Sequence, residues 1–329
     1  MPAENSLHVV LGTGPAGSTL AAHLADAGHR VRAVDRAGKA PRHAGIEHFT
    51  ADLTDAREGK RAVEGAAVIY HCVNVAYHLQ VEVMPQIATS VLDAARASGA
   101  RLVVLDTLYP YGEADGEWIT EQTPWATTTQ KGRMRAELDR RYLEAHAAGD
   151  VRVVAGRSAD FFGPGVLNST LGATAFPAAL TGEPVLAFGD IGLPHSYTFI
   201  GDVARGLAAL GQDSTGDGRV WHLPTEPART TREVHALIED RVGRPLNVVT
   251  LDRPEPYGPF DETFMASYEE MFYQHTMPQN MVSDAFEAQF GIHPTPLPEA
   301  LDATVDWYRG QLGGAAGERR GWDSNPRGS

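Results

Sequence analysis

Three glycines near the start of the chain have the spacing of a phosphate cradle: Gly12, Gly14 and Gly17 in the run GTGPAG. Gly12 permits a tight turn, Gly14 lets the backbone approach a pyrophosphate, and Gly17 lets the next helix pack close to the preceding strand. Pro15 and Ala16 open that helix, whose unpaired N–H groups would face phosphate oxygens. Asp35 and Arg36 follow about 20 residues later, at the end of a second apolar strand, where a carboxylate would accept hydrogen bonds from an adenosine ribose. Asp35 would repel a 2′-phosphate, whereas Arg36 could bind one or stack on adenine. The expected cofactor is therefore NAD, with NADP left open.

A second set of residues stands apart by rarity. Only Lys39, Lys60 and Lys131 are lysines among the 28 basic residues, so the chain uses arginine wherever a generic positive charge suffices. Lys131, Met134, Leu138 and Tyr142 recur at helical spacing, which places Lys131 on the buried face of its helix. Thr107, Tyr109 and Tyr111 cluster in the run TLYPYG, just after an apolar stretch.

Positioning these groups requires a sheet. Strand-like runs near 7–11, 31–36, 46–50, 68–72, 101–106 and 151–157 alternate with helical patterns at 56–63, 83–98 and 128–147. That alternation predicts an α/β fold, a doubly wound parallel (Rossmann) sheet with a smaller C-terminal substrate-binding region. Beyond Phe162 the texture turns to FFGPG, FPAAL, GEPVLAFGD and a proline-rich stretch over 253–260, the composition of loops that hold a ligand. Two further helices are expected at 231–242 and 298–309. The expected division is 1–165 with 186–224 for the nucleotide-binding domain, 166–185 with 225–312 for the substrate region, and 313–329 as a disordered tail.

Composition narrows the partners. The 329 residues are 43% hydrophobic and 21% charged, with no apolar run of the roughly 18 residues a membrane helix needs. No secretory pattern opens the chain, and Cys72 is the single cysteine, so a reducing, cytoplasmic setting is expected. A formal charge of −14 disfavours nucleic acid and anionic membrane. No HExxH pair occurs among the 13 histidines, so no metal site is expected. A small-molecule substrate remains.

With these motifs in hand, ADLTD at Ala51 to Asp55, TLYPYG at Thr107 to Gly112, FFGPG at Phe161 to Gly165 and YTFIGDVARGL at Tyr197 to Leu207 extend the pattern. Over roughly residues 7 to 310 the chain resembles the extended short-chain dehydrogenase/reductase family, which includes nucleotide-sugar epimerases and dehydratases. Its GxGxxG turn replaces the GxxGxxG usual in that group and points to an atypical branch. The resemblance implies that Asp52 and Leu53 border the adenine, that Val73 and Asn74 line the nicotinamide ribose, and that Thr107 holds the substrate oxygen. It implies that Lys131 contacts the ribose; otherwise its stem packs while its ammonium reaches water. Tyr77, Asn168 and His195 fall where relatives touch substrate, although His195 could simply cap a strand. Two helices of such domains often pair, so the resemblance leaves a homodimer open, while the sequence itself does not give the oligomeric state.

One position departs from the family. Such enzymes use a tyrosine four residues before the lysine to move the hydroxyl proton, and here that position is Thr127. An aliphatic hydroxyl does not ionise near neutral pH, so a nonstandard proton relay is needed, with Tyr109 beside Thr107 as the favoured replacement. The implied function is an NAD(P)-dependent oxidoreductase or epimerase/dehydratase, transferring hydride on a nucleotide sugar or a small hydroxyl or keto metabolite. The competing reading is a non-catalytic NAD(P)-binding regulator. Aromatic residues such as Phe161, Tyr268 and Phe272 could wall the pocket or fill a core; an aromatic pocket would favour an aromatic substrate, whereas a nucleotide diphosphate would want arginines.

Overall fold

The structure, a computed structural model, describes residues 6–38, 43–114, 118–258 and 260–323. Seven strands form the central sheet: β1 (Leu7–Leu11), β2 (Arg30–Asp35), β3 (Ile46–Thr50), β4 (Ala66–His71), β5 (Arg101–Thr107), β6 (Val153–Ser158) and β7 (Val220–His222). Their order is β7-β6-β5-β4-β1-β2-β3 and every pairing is parallel. The chain winds outward from β1 to β3, then returns across β1 to start again at β4. The carboxyl ends of β1 and β4 therefore flank the point where the winding reverses, the place in such sheets where ligands bind.

Alternation along β1 explains the two layers. Leu7, Val9 and Leu11 point into a core shared with α2 (Ala56–Ala62), α3 (Gln80–Ser98) and α4 (Gln130–Ala147), whereas Val10 points into the opposite core with α1 (Pro15–Asp26), α6 (Ile200–Gln212) and α9 (Asp284–Phe290). Both faces are covered, so β1 is buried at all five positions.

Helix ends follow their local chemistry. Thr129 caps α4 by accepting from the N–H of Gly132, so α4 begins at Gln130 rather than at 128. Thr230 and Glu233 form a reciprocal capping box on α7 (Thr231–Val242), which Gly243 ends with φ 72°. Asp202 lies in the first turn of α6, and its buried carboxylate accepts from Thr295 N and Oγ1, each at 2.7 Å. Strand β7 has only three residues, too short to show a period in the sequence.

The smaller region gathers α5 (Phe176–Thr181), α7 and α10 (Leu297–Asp323) around Phe176, Leu301 and Tyr308. Its strand Val185–Phe188 pairs in parallel with Val248–Leu251, so this pairing spans the expected division at 185/186. Helix α8 (Glu262–Tyr268) runs into a 3-10 segment, Glu269–His275, and together they carry a row of aromatic rings. The helical backbone of α10 extends to Asp323, past the start of the expected tail, and 324–329 lie outside the described residues. Among the described residues no helix is long and apolar enough to cross a membrane.

Candidate active site at the carboxyl ends of the strands

The glycine turn follows β1 directly. Gly12 has φ 91°, and a Cβ there would come within 2.9 Å of the Val73 backbone, so the turn abuts the segment after β4 that carries Val73 and Asn74. A Cβ on Gly17 would sit 1.9 Å from the Gly12 carbonyl oxygen, whereas one on Gly14 would meet nothing within 4 Å. The cradle is closed beneath and open above. No side chain caps α1, and Pro15 occupies its first turn, leaving the N–H end of the helix toward that open side.

Thr13 Oγ1 donates to Asp35 Oδ2 at 2.5 Å, which fixes the carboxylate at the tip of β2. Arg36 is exposed beside it. Asp52 accepts from Thr54 N at 2.9 Å and Thr54 Oγ1 at 2.7 Å; these bonds, with the Arg36 charge, hold its carboxyl below the usual range. Leu53 is buried in the core. The cradle, the open face at Gly14 and the acid at the end of β2 fit a dinucleotide.

Thr107, Tyr109, Tyr77, Asn168 and His195 line one pocket, together with Asn74. Thr107 ends β5 in register with Ser158 of β6, and its Oγ1 accepts from Tyr109 N at 3.4 Å. Asn74 Oδ1 accepts from an Arg135 guanidinium N–H at 3.0 Å. The Tyr77 and Tyr109 hydroxyls are 2.8 Å apart, and burial pushes both phenols well above their ordinary range. Such phenols stay protonated and can donate a hydrogen bond, but they make poor bases.

His195 belongs to the short strand Pro194–His195, which pairs with Arg229–Thr230, and its Nε2 lies 3.1 Å from Asp160 Oδ2. Burial raises the Asp160 carboxyl, but the His195 hydrogen bond and the flanking His195 and His275 rings outweigh it, so the net shift is downward. Asp160 is thus an ionised acceptor, which assigns a proton to His195 Nε2 and leaves Nδ1 as the ring nitrogen not engaged by Asp160. The His275 ring stacks on His195 at 5.6 Å, and burial brings its pKa down to about 3.

The pocket does not include Thr127 or Lys131 among its lining residues. Thr127 Oγ1 lies 3.2 Å from Thr129 Oγ1, and the Thr127 side chain packs against Gly132 at the start of α4. Lys131 is on the buried face with Met134, Leu138 and Tyr142. Its ammonium is nearly buried and paired: it donates to Ser267 O at 2.6 Å and to Glu270 Oε1 at 2.7 Å, on the wall of a depression shared with Tyr77 and His78. Two of its three N–H groups are so used.

Asp160 and His275 join the site without having been singled out in the sequence, whereas Tyr268 stands in the pocket wall, one of the two places open to it. Asp160 follows β6 by two residues, and a polar side chain just past the end of a parallel strand is the signal that could have found it. His275, joined by a 2.5 Å hydrogen bond to Tyr268 at the end of α8, comes from the 3-10 segment, whose path no pattern announces.

The sequence model of the NAD dependent epimerase/dehydratase family matches residues 9–223. Comparison with curated proteins gives no match. Among solved structures, an epimerase of Methanothermobacter thermautotrophicus is similar with a TM-score of 0.80 at 20% identity, covering 94% of each chain. A dTDP-glucose 4,6-dehydratase of Streptomyces venezuelae, solved with NAD, gives 0.78 at 20% identity, covering 93% of this chain and 98% of that one. The Thermus thermophilus UDP-glucose 4-epimerase, also solved with NAD, gives 0.74 at 22% identity, covering 92% and 99%. At these identities the likeness is one of fold.

Proposed function

The chain belongs to the NAD-dependent epimerase/dehydratase family, and from that premise we propose that it moves hydride at a hydroxyl- or keto-bearing carbon held beside Thr107. NAD is its cofactor. The backbone of Gly12, Gly14, Pro15, Ala16 and Gly17 would hold the pyrophosphate, Asp35 the adenosine ribose, Asp52 and Leu53 the adenine, and Val73 with Asn74 the nicotinamide ribose. When bound, NAD takes hydride from a carbinol carbon or returns it to a carbonyl carbon.

The chain's own residues manage the oxygen and its proton. Thr107 Oγ1 hydrogen-bonds the substrate oxygen. His195 Nδ1 accepts the hydroxyl proton as the C–O bond becomes C=O, and Asp160 stabilises the imidazolium that results; the proton returns along the same path in reduction. Tyr109, paired with Tyr77, donates a hydrogen bond and remains a phenol. The observation that carries this reading is the His195–Asp160 pair in the pocket that also holds Thr107. A second reading, a cofactor-binding sensor without turnover, draws on the engagement of Lys131 by Glu270 and on Thr127 packing against α4.

The test follows the label. The protein is incubated with NADH deuterated on either nicotinamide face and a metabolite extract, and products are searched by mass spectrometry; a parallel reaction in heavy water reads epimerisation or dehydration. Deuterium in one metabolite, lost with Thr107→Ala, is the expected result. NAD binding without label from either source would leave the sensor.

A further inference from the structure

The pocket beside Thr107 is walled by rings and holds little charge. Phe161, Phe188, Phe260 and Phe264 line it with Tyr77 and Tyr268. The rings brace one another: Phe260 lies 4.8 Å from Phe264 and 5.6 Å from Phe188, centroid to centroid. Flat apolar walls of this kind favour a flat apolar face on the ligand.

Asp160 and His195 apart, the polar groups in the lining are neutral amides and hydroxyls: Asn74, Asn168, Gln274 and Gln279, with Thr107, the other lining threonine and serines, and the phenols. Among the described residues, no arginine or lysine lines the pocket, while one carboxylate, Asp160, does. The nearest cations lie behind the walls and are spoken for. Lys131 is 5.8 Å from the Tyr77 ring centre and paired to Glu270, and Arg135 is bonded to Asn74 and faces Asp106 at 3.9 Å. Arg232 lines a different depression, where it shares the wall with Asp190 and Asp252. A dianionic diphosphate entering the pocket would meet Asp160 and no guanidinium fork, and a buried phosphate without cationic partners is strongly disfavoured.

We infer that the substrate is an uncharged, ring-bearing alcohol or ketone with a flat apolar face, and that nucleotide sugars are excluded from this site. The inference rests on the proposed hydride-transfer site for where the reacting oxygen goes, but occupancy of the pocket can be read without turnover.

Isothermal titration of the full chain saturated with NAD provides that reading, with 1-tetralone and UDP-glucose as probes. Saturable 1-tetralone binding at least about 100-fold tighter than UDP-glucose is expected. Phe264→Ala, at a half-buried position, should weaken 1-tetralone at least about fivefold while NAD affinity stays unchanged. UDP-glucose binding as tight as 1-tetralone, failure of 1-tetralone to saturate, or an unaltered 1-tetralone affinity in Phe264→Ala would each overturn the inference. Binding of 1-tetralone without its reduction in a parallel reaction supplied with NADH would leave the substrate class standing and remove the proposed reaction; oxidation of UDP-glucose by NAD would do the reverse.

Discussion

Lys131 Nζ and Glu270 Oε1 lie 2.7 Å apart, so one ion pair joins the buried face of α4 to the aromatic segment above the pocket. The lysine is thereby tied to that segment rather than to the lining of the pocket beside Thr107. With one N–H left for a ribose hydroxyl, Lys131→Ala is expected to weaken NAD about tenfold, or ~1.4 kcal/mol. Glu270→Gln removes the charge of the pair and disturbs the bonds that its other oxygen accepts from the Gln130 and Lys131 N–H groups, without touching the glycine cradle, so it should leave NAD affinity unchanged and weaken the substrate. Titration of both variants with NAD checks this; equal loss of NAD affinity would mean that Lys131 acts through the segment alone.

Asp160→Asn and His195→Ala are each expected to lower kcat by about 10²- to 10⁴-fold with small changes in KM, the usual range for removing a general base. Steady-state kinetics on the substrate found by deuterium labelling measures both. Near-wild-type turnover in His195→Ala would move the proton role elsewhere.

Tyr109→Phe should cost much less. Burial already keeps this phenol protonated, so its removal deletes one hydrogen bond, worth about 0.5–1.5 kcal/mol, or roughly tenfold at most. A kcat loss as deep as that of His195→Ala would make Tyr109 the relay after all.

Gly17→Ala places a Cβ 1.9 Å from the Gly12 carbonyl oxygen, a contact that backbone must move to relieve. A destabilisation of about 1–3 kcal/mol is expected, with loss of NAD binding, because the turn that shifts is the cradle itself. Denaturant unfolding and NAD titration report the two effects separately.

Stability should fall in mild acid. Burial depresses His71 and His275 to about 3 and His8, His222 and His235 to about 4, all below the ordinary 6.5. The unfolded chain then binds more protons than the folded one below pH 6.5. Stability is complete above that value and is lost as pH falls toward 4, by ~1.4 kcal/mol per pH unit for each such histidine. A Tm that stays flat from pH 7 to 4.5 would contradict this.

The cofactor half of the molecule could be read from the sequence because its signals are local. Gly12, Gly17 and Asp35 each act through backbone geometry within a single strand–turn–helix–strand unit, and the parallel sheet follows from repetition of that unit. The catalytic half could be read only in outline. Thr107, Tyr77, Tyr109, Asn168 and His195 were foreseen and do share a pocket, yet what His195 bonds to depends on Asp160, which reaches it from another strand 35 residues away. Lys131 shows the same limit: its burial followed from helical spacing, but its partner Glu270 is 139 residues distant, on a segment with no regular period. Contacts between remote irregular segments are set by packing, and periodicity does not reach them.

Phe260 to His275 supply the pocket's roof as one continuous stretch, while Thr107, Asp160 and the glycine turn belong to strand ends beneath it. Chemistry and selectivity are therefore encoded in separable parts of the gene. Exchanging its first part, Phe260 to Phe264, would alter which compound is admitted and leave the reacting groups in place, whereas His275 at the far end stacks on His195 and must stay, so descendants of this protein can acquire new substrates without reinventing the reaction.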